Sequence, residues 1–195
     1  MKIGFSTNAY TRKSLIYAIK SISEIGYDGI EIVLDVPHAF LPLSESIFQN
    51  IQNCLEKCEI EVTNLNANTV VGWYDKQTDV EKFEPSLSNE NEKLRRWRVS
   101  YTKKAIDLSL KLNAPSISIT SGVSNNLHKN TLKNFQNSLK ELANYAEEKN
   151  IKLAIEYEPG LLIEKADDVF PLTKEFSNVG LNFDVCHAAV LGEQM

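Results

Sequence analysis

Leu153-Ala154-Ile155-Glu156-Tyr157-Glu158-Pro159-Gly160 and Gly180-Leu181-Asn182-Phe183-Asp184-Val185-Cys186-His187 decide how this chain is read. Each is a short apolar run that stops on an acid. Such a run is a buried strand whose carboxyl end carries a hard oxygen ligand. In parallel α/β folds the carboxyl ends of the strands are where sites are built. Two such ends, one helical segment apart, put Glu156 and Asp184 on one rim and read as half of a divalent-metal site.

Working outward, strands are expected at residues 3–6, 29–34, 61–66, 116–120, 152–156 and 180–184. Helices fill the intervals. Residues 14–25 carry a stripe of Leu15, Ala18, Ile19, Ile22 and Ile25, with Gly26 as the stop. Residues 44–58 repeat Ile47, Ile51, Leu55 and Cys58, with Ser44 placed to cap. Residues 93–112, 130–149 and 166–176 complete the set, the second of these burying Leu132, Phe135, Leu139, Leu142 and Ala146. Strands that start at about 30-residue intervals, with helices between, are repeated βα units on a parallel sheet. Right-handed crossovers then leave a doubly wound sheet or a barrel. No glycine-rich phosphate turn follows the first strand, where Ser6-Thr7-Asn8-Ala9 stands, so the expectation is a (β/α)8 TIM barrel. A full barrel takes roughly 250 residues and eight strands. Six units are legible here, so residues 1–195 are expected to form a single barrel domain, incomplete at its C-terminus.

Composition removes alternatives. The chain has 195 residues, 43% hydrophobic and 24% charged, enough for one core. A net charge of −5 and a pI near 5.3 give no basic footprint, so nucleic acid is not an expected partner. No apolar run approaches the ~18 residues of a membrane span, so no membrane partner is expected either. The start enters a strand without the apolar core of a signal peptide. Three cysteines without framework spacing suit a reducing cytoplasm, and Cys54 and Cys58, one helical turn apart, read as packing residues.

The third and fourth strands are separated by a wider gap. Residues 67–91 hold Trp73, Tyr74, Phe83 and Pro85 among polar residues, and a connection this long reads as a lid with Trp73 placed to stack on a small ligand, as a disordered insert, or equally as a loop that only packs over the barrel mouth. Asn66 and Asn68, at the exit of the third strand, are candidates for substrate hydroxyls or for turn chemistry. Glu158 reads as a substrate-side or hydrogen-bonding acid beside Glu156, or as a solvated loop acid. Glu31 reads equally as an ion-pair partner in the barrel rim, and His38 and His128 as solvated loop residues.

Lys2-Ile3-Gly4-Phe5-Ser6-Thr7, Gly26-Tyr27-Asp28-Gly29-Ile30-Glu31, Leu153-Ala154-Ile155-Glu156 and Asn182-Phe183-Asp184-Val185-Cys186-His187-Ala188 together resemble the xylose-isomerase-like TIM barrels. That superfamily includes sugar-phosphate isomerases and epimerases, ketose 3-epimerases and type IV apurinic endonucleases. The resemblance implies a metal-dependent sugar or sugar-phosphate isomerase or epimerase that moves a proton next to a carbonyl. It implies that Glu156 is both a metal ligand and a proton carrier, and that Asp184 is a second ligand. His187 falls on the histidine that contacts substrate in the epimerases and metal in the nucleases. The family's strand-seven histidine and strand-eight glutamate have no counterpart, so this chain alone is expected to be inactive. The nuclease branch needs histidines at the exits of strands two to four. Here Leu34-Asp35-Val36-Pro37, Asn66-Ala67-Asn68 and Thr120-Ser121-Gly122 stand, with His38 the one nearby candidate, which argues against DNA repair. A non-catalytic barrel that binds or carries a small metabolite is the alternative from another class.

Proton transfer beside a carbonyl needs a cation to polarise the oxygen and carboxylates to hold it or to act as base and acid. Two carboxylates and one imidazole favour Mn²⁺ or Mg²⁺, with Co²⁺ or Zn²⁺ admitted. The partner expected is a small sugar, and open strand edges are compatible with a homo-oligomer.

Overall fold

Two faces of unequal chemistry organise the sheet. In β2 (Gly29–Val33), Ile30 and Ile32 are buried and alternate with Gly29, Glu31 and Val33. The same alternation sets Leu65 against Asn64 and Asn66 in β3 (Glu61–Asn66), and Ile117 and Ile119 against Ser116 and Ser118 in β4 (Ser116–Ile119). In β5 (Lys152–Glu156) it sets Leu153 and Ile155 against Ala154 and Glu156. With β1 (Gly4–Ser6) and β6 (Val179–Asn182) the sheet has six parallel strands, in the order β1-β2-β3-β4-β5-β6. The computed structural model describes residues 2–74, 83–123 and 130–193. Each strand pairs with its sequence neighbours, and the order never reverses. A doubly wound sheet requires a reversal at its switch point, so this is the succession of a βα barrel, as the sequence reading expects.

The apolar face is covered by helices. α1 (Leu15–Ile25) buries Leu15, Ala18, Ile19 and Ile22, begins on Ser14, whose hydroxyl accepts from the Tyr17 N–H, and ends on Gly26 at φ 98°. Only glycine adopts that left-handed cap without cost. α2 (Glu45–Lys57) is capped by Ser44 and buries Ile51, Cys54 and Leu55. A short α3 (Val71–Tyr74) precedes α4 (Glu92–Lys111), α5 (Thr131–Glu147) and α6 (Ala166–Thr173). A seventh helix, α7 (Val185–Leu191), follows β6. No helix of the described residues is long and apolar enough to cross a membrane.

Several expectations need correction. The apolar periodicity puts Ile25, Ile47 and Leu132 on buried stripes, whereas they are 64%, 49% and 48% exposed. All three stand in a terminal turn of their helix, where solvent reaches more sides. The sixth strand stops at Asn182, two residues short of Asp184, which instead caps α7. His38 is half-buried with Nε2 3.2 Å from the Tyr10 carbonyl, and burial lowers its pKa, so it is no solvated loop residue. His128 lies outside the described residues.

The connection after β3 is pinned at both described ends. Asp35, buried just past β2, accepts from the Thr69 hydroxyl at 2.9 Å and from the N–H groups of Val70, Val71 and Gly72 at 2.8, 3.0 and 2.6 Å. Arg98, 3% exposed on α4, donates to the carbonyls of Ala67 at 3.2 Å, Thr69 at 2.6 Å, Phe83 at 3.2 Å and also Pro85. Burial lowers its pKa to about 10, so it is still charged at neutral pH. One guanidinium thus gathers both sides of the loop, which a lysine's single ammonium cannot do. Replacing it strands buried carbonyls, so Arg98→Met should cost about 3 kcal/mol in urea unfolding and Arg98→Lys should recover little of it.

Candidate metal centre

β5 and β6 deliver the acids at one rim. Glu156 is the last residue of β5 and pairs with Asn182, the last residue of β6. Two residues later Asp184 turns the chain into α7: its Oδ1 accepts from the N–H groups of Cys186 at 2.7 Å and His187 at 3.2 Å. A cap of that kind holds the carboxylate in place at the helix start. His187, in the first turn of α7, faces back with Nε2 4.0 Å from Asp184 Oδ2. One ligand atom each from Glu156, Asp184 and His187 lie within 4.8 Å of one another. All three residues are half-buried.

The imidazole is oriented by the backbone. His187 Nδ1 lies 2.7 Å from the Tyr157 carbonyl, which can only accept, so Nδ1 carries a proton and Nε2 is the ring nitrogen turned toward Asp184. Tyr157 is itself immobilised. Its ring is buried, and its hydroxyl donates to Glu193 at 2.8 Å, whose other oxygen accepts from the Ala166 N–H at the start of α6. Burial pushes the Tyr157 hydroxyl up to about 12, which keeps it a donor.

Glu156 sits in the most demanding environment. Burial first, then the charge of Glu31, push its pKa up to about 7; His187 pulls it back, and Asp184 and Glu158 add smaller pushes. A carboxyl held so high in a cluster of acids is short of positive charge, and a divalent cation is what the donor set fits. Two carboxylates and an imidazole whose Nδ1 is anchored on a carbonyl, leaving Nε2 for a ligand, suit Mn²⁺, Mg²⁺ or Zn²⁺.

The structure therefore brings together Glu156, Asp184 and His187, and keeps Glu158 close enough to act on Glu156 by charge. Asn66 and Asn68 have work in the β3 exit. Asn66 Oδ1 accepts from the Asn68 N–H at 3.1 Å, and Asn68 Oδ1 from the N–H and hydroxyl of Thr120 at 2.9 and 3.0 Å. Trp73 packs on Trp97 with centroids 4.3 Å apart, and Trp97 stacks on Tyr101. It is 36% exposed at the root of the loop. Glu31 is held by the Ser6 hydroxyl at 2.7 Å and the Asn64 amide at 2.6 Å.

The sequence reading missed the polar inner face as a unit. Ser6, Glu31, Asn64, Ser116, Ser118 and Asn182 line a cavity of about 450 Å³. The signal was present in Ser116-Ile117-Ser118-Ile119 and Asn64-Leu65-Asn66, where small polar residues take alternate positions of strands.

A barrel of βα units with acids gathered on its carboxyl rim defines the class. Over residues 19–194 the sequence matches the family described as xylose isomerase-like TIM barrel, and the chain belongs to that family. Fructoselysine 3-epimerase of Shigella flexneri is 29% identical over 98% of this chain and 62% of its own length. The chain thus spans 62% of the length of the curated relatives it matches. Among solved structures, D-psicose 3-epimerase with D-tagatose from Clostridium cellulolyticum H10 superposes with a TM-score of 0.78 at 17% identity, over 100% of this chain and 67% of that one. A xylose isomerase-like TIM barrel protein from Mycobacterium smegmatis in complex with magnesium gives 0.73 at 14%, over 100% of this chain and 68% of that one. At these identities the two structures share the fold.

The raised Glu156 pKa has a consequence for stability. A carboxyl whose folded pKa lies above its unfolded value contributes stability that is complete below about 4.5 and lost as pH rises through about 7. Glu156→Gln removes that dependence. In the metal-free chain, the unfolding free energy of the variant relative to the parent should therefore rise by about 3 kcal/mol between pH 4.5 and pH 8, read by urea denaturation at each pH.

Proposed function

We propose that this chain carries half of the catalytic rim of a sugar 3-epimerase, with Glu156 and Asp184 as ligands of Mn²⁺ or Mg²⁺ and Glu156 also as proton carrier. The observation that bears most weight is the meeting of Glu156, Asp184 and His187 with ligand atoms within 4.8 Å. The name of the Shigella relative supports a ketose derivative as the substrate class.

A bound divalent ion would supply Lewis acidity to the substrate carbonyl and stabilise the enediolate. The chain's own residues do the rest. Glu156, at the carboxyl end of β5 beside Asp184 and His187, takes up and returns the proton. Asp184 remains bound to the α7 N-terminus by one oxygen and offers the other. His187, its Nδ1 engaged by Tyr157, offers Nε2 to a substrate hydroxyl or to the ion. Glu158 would contact the sugar beside Glu156. Asn66 and Asn68, whose oxygens hold the β3 exit, would turn their amide nitrogens to hydroxyls, and the exposed part of Trp73 would meet the sugar's apolar face.

Exchange of solvent deuterium into C3 tests this reading directly. D-psicose, D-tagatose and fructoselysine would be incubated in D₂O with Mn²⁺ and a chimera in which a full-length relative supplies the remaining third. Exchange seen by NMR, and slowed at least 100-fold by Glu156→Gln, is the expected result. A folded, Mn²⁺-loaded chimera that exchanges none of the three ketoses contradicts it.

A further inference from the structure

A row of hydrogen bonds crosses the inner face of the sheet and ends on Glu156. It starts at the Ser6 hydroxyl on β1, which donates to Glu31 Oε1 on β2. Glu31 Oε2 accepts from Asn64 Nδ2 on β3 at 2.6 Å, and the same nitrogen donates to Ser118 Oγ on β4 at 2.7 Å. Ser116 donates to the Asn64 Oδ1 at 2.8 Å and so fixes which way that amide faces. Ser118 Oγ, 1% exposed, accepts a second time from Asn182 Nδ2 on β6 at 3.1 Å. The remaining hydrogen of Asn182 Nδ2 reaches Glu156 Oε2 on β5 at 3.3 Å. All six strands contribute a side chain.

The three members of the candidate metal centre differ in how they are held. Asp184 is fixed by capping α7, and His187 by the Tyr157 carbonyl. Glu156 hangs on three rotatable torsions, and a glutamate free to turn loses side-chain entropy each time it is recruited. Asn182 is its direct neighbour in the β5–β6 register, so both side chains leave the sheet on the same face. An amide nitrogen has two hydrogens. Anchored by one to a buried serine, it can present the other in one direction only.

We propose that Asn182 is the positioning residue of Glu156: anchored on Ser118, its amide holds the carboxylate where it meets Asp184 and His187. The inference rests on the reading of Glu156 as a ligand and proton carrier, and it adds the residue that puts Glu156 in place. Groups that orient metal ligands from behind are commonly worth about 10- to 100-fold in metal affinity.

Two substitutions and two readouts test it on the 195-residue chain. Asn182→Leu keeps the shape and removes both donors, and Ser118→Ala keeps Asn182 but removes its anchor. In metal-free crystals of Asn182→Leu, the Glu156 carboxylate should have turned away from Asp184 and His187, and Ser118→Ala should show a smaller turn in the same sense. By calorimetry, Asn182→Leu should weaken Mn²⁺ binding about 10-fold in the parent and less than about twofold in a Glu156→Gln background, because the effect passes through Glu156. An unmoved carboxylate, or an equal loss in both backgrounds, overturns the proposal. If Asn182→Leu does not fold, Ser118→Ala decides by the same crystal measurement. A parent that takes up no Mn²⁺ overturns the metal reading under the proposed function, while the metal-free crystals still decide the role of Asn182.

Discussion

Parallel strands that must bury one face under helices leave the other face free to be something else, and in this chain it is polar. Backbone pairing between neighbouring strands is saturated by the sheet, so the side-chain alternation alone decides what each face can do. Ile30, Ile32, Leu65, Ile117, Ile119, Leu153 and Ile155 are all buried at 2% exposure or less, and they hold the helices. Their alternates, Glu31, Asn64, Ser118, Glu156 and Asn182, form a connected set of hydrogen bonds rather than an apolar plug. A slip of one residue in any strand would exchange the two sets, which makes the register a condition for both core and site. The irregularity between Ile30 and Glu31 shows the same pressure: it brings Glu31 opposite Asn64 on the polar face.

The candidate metal centre draws on ordinary devices placed next to each other. A helix start fixes Asp184, a carbonyl fixes one nitrogen of His187, and a strand end fixes the backbone of Glu156. The Asp35 and Arg98 anchors lie one layer out. They tie the chain after β2 and the described ends of the connection after β3 to one another and to α4. Gathering acids with little positive charge nearby costs stability in the metal-free chain, visible in the pKa of Glu156. Sites often carry such a cost because the same arrangement binds the group that function requires.

Much of this was legible beforehand, for identifiable reasons. The six strands and the five longer helices follow from apolar periodicity and from caps such as Ser14, Gly26 and Ser44, which signal through local chemistry. Glu156 and Asp184 could be picked out because an acid at the end of an apolar run is unusual. α7 escaped because its seven residues are too few for a period, and Asp184 read as a strand end although an aspartate is as good a helix cap. Arg98 and Asn182 escaped for a different reason. Their roles come from partners 13 to 64 residues away, and nothing local marks an arginine as buried or an asparagine as a brace. The identities were visible, but only the folded register pairs them.

The central claim is that β5 and the start of α7 form a divalent-cation site from Glu156, Asp184 and His187. Crystals of the chain soaked in Mn²⁺ and recorded at a wavelength where manganese scatters anomalously test it most directly. The account predicts one strong anomalous peak within about 2.3 Å of an oxygen of Glu156, an oxygen of Asp184 and Nε2 of His187, absent from crystals of Asp184→Asn. Manganese bound elsewhere on the chain, with this cluster empty at saturating metal, would contradict it.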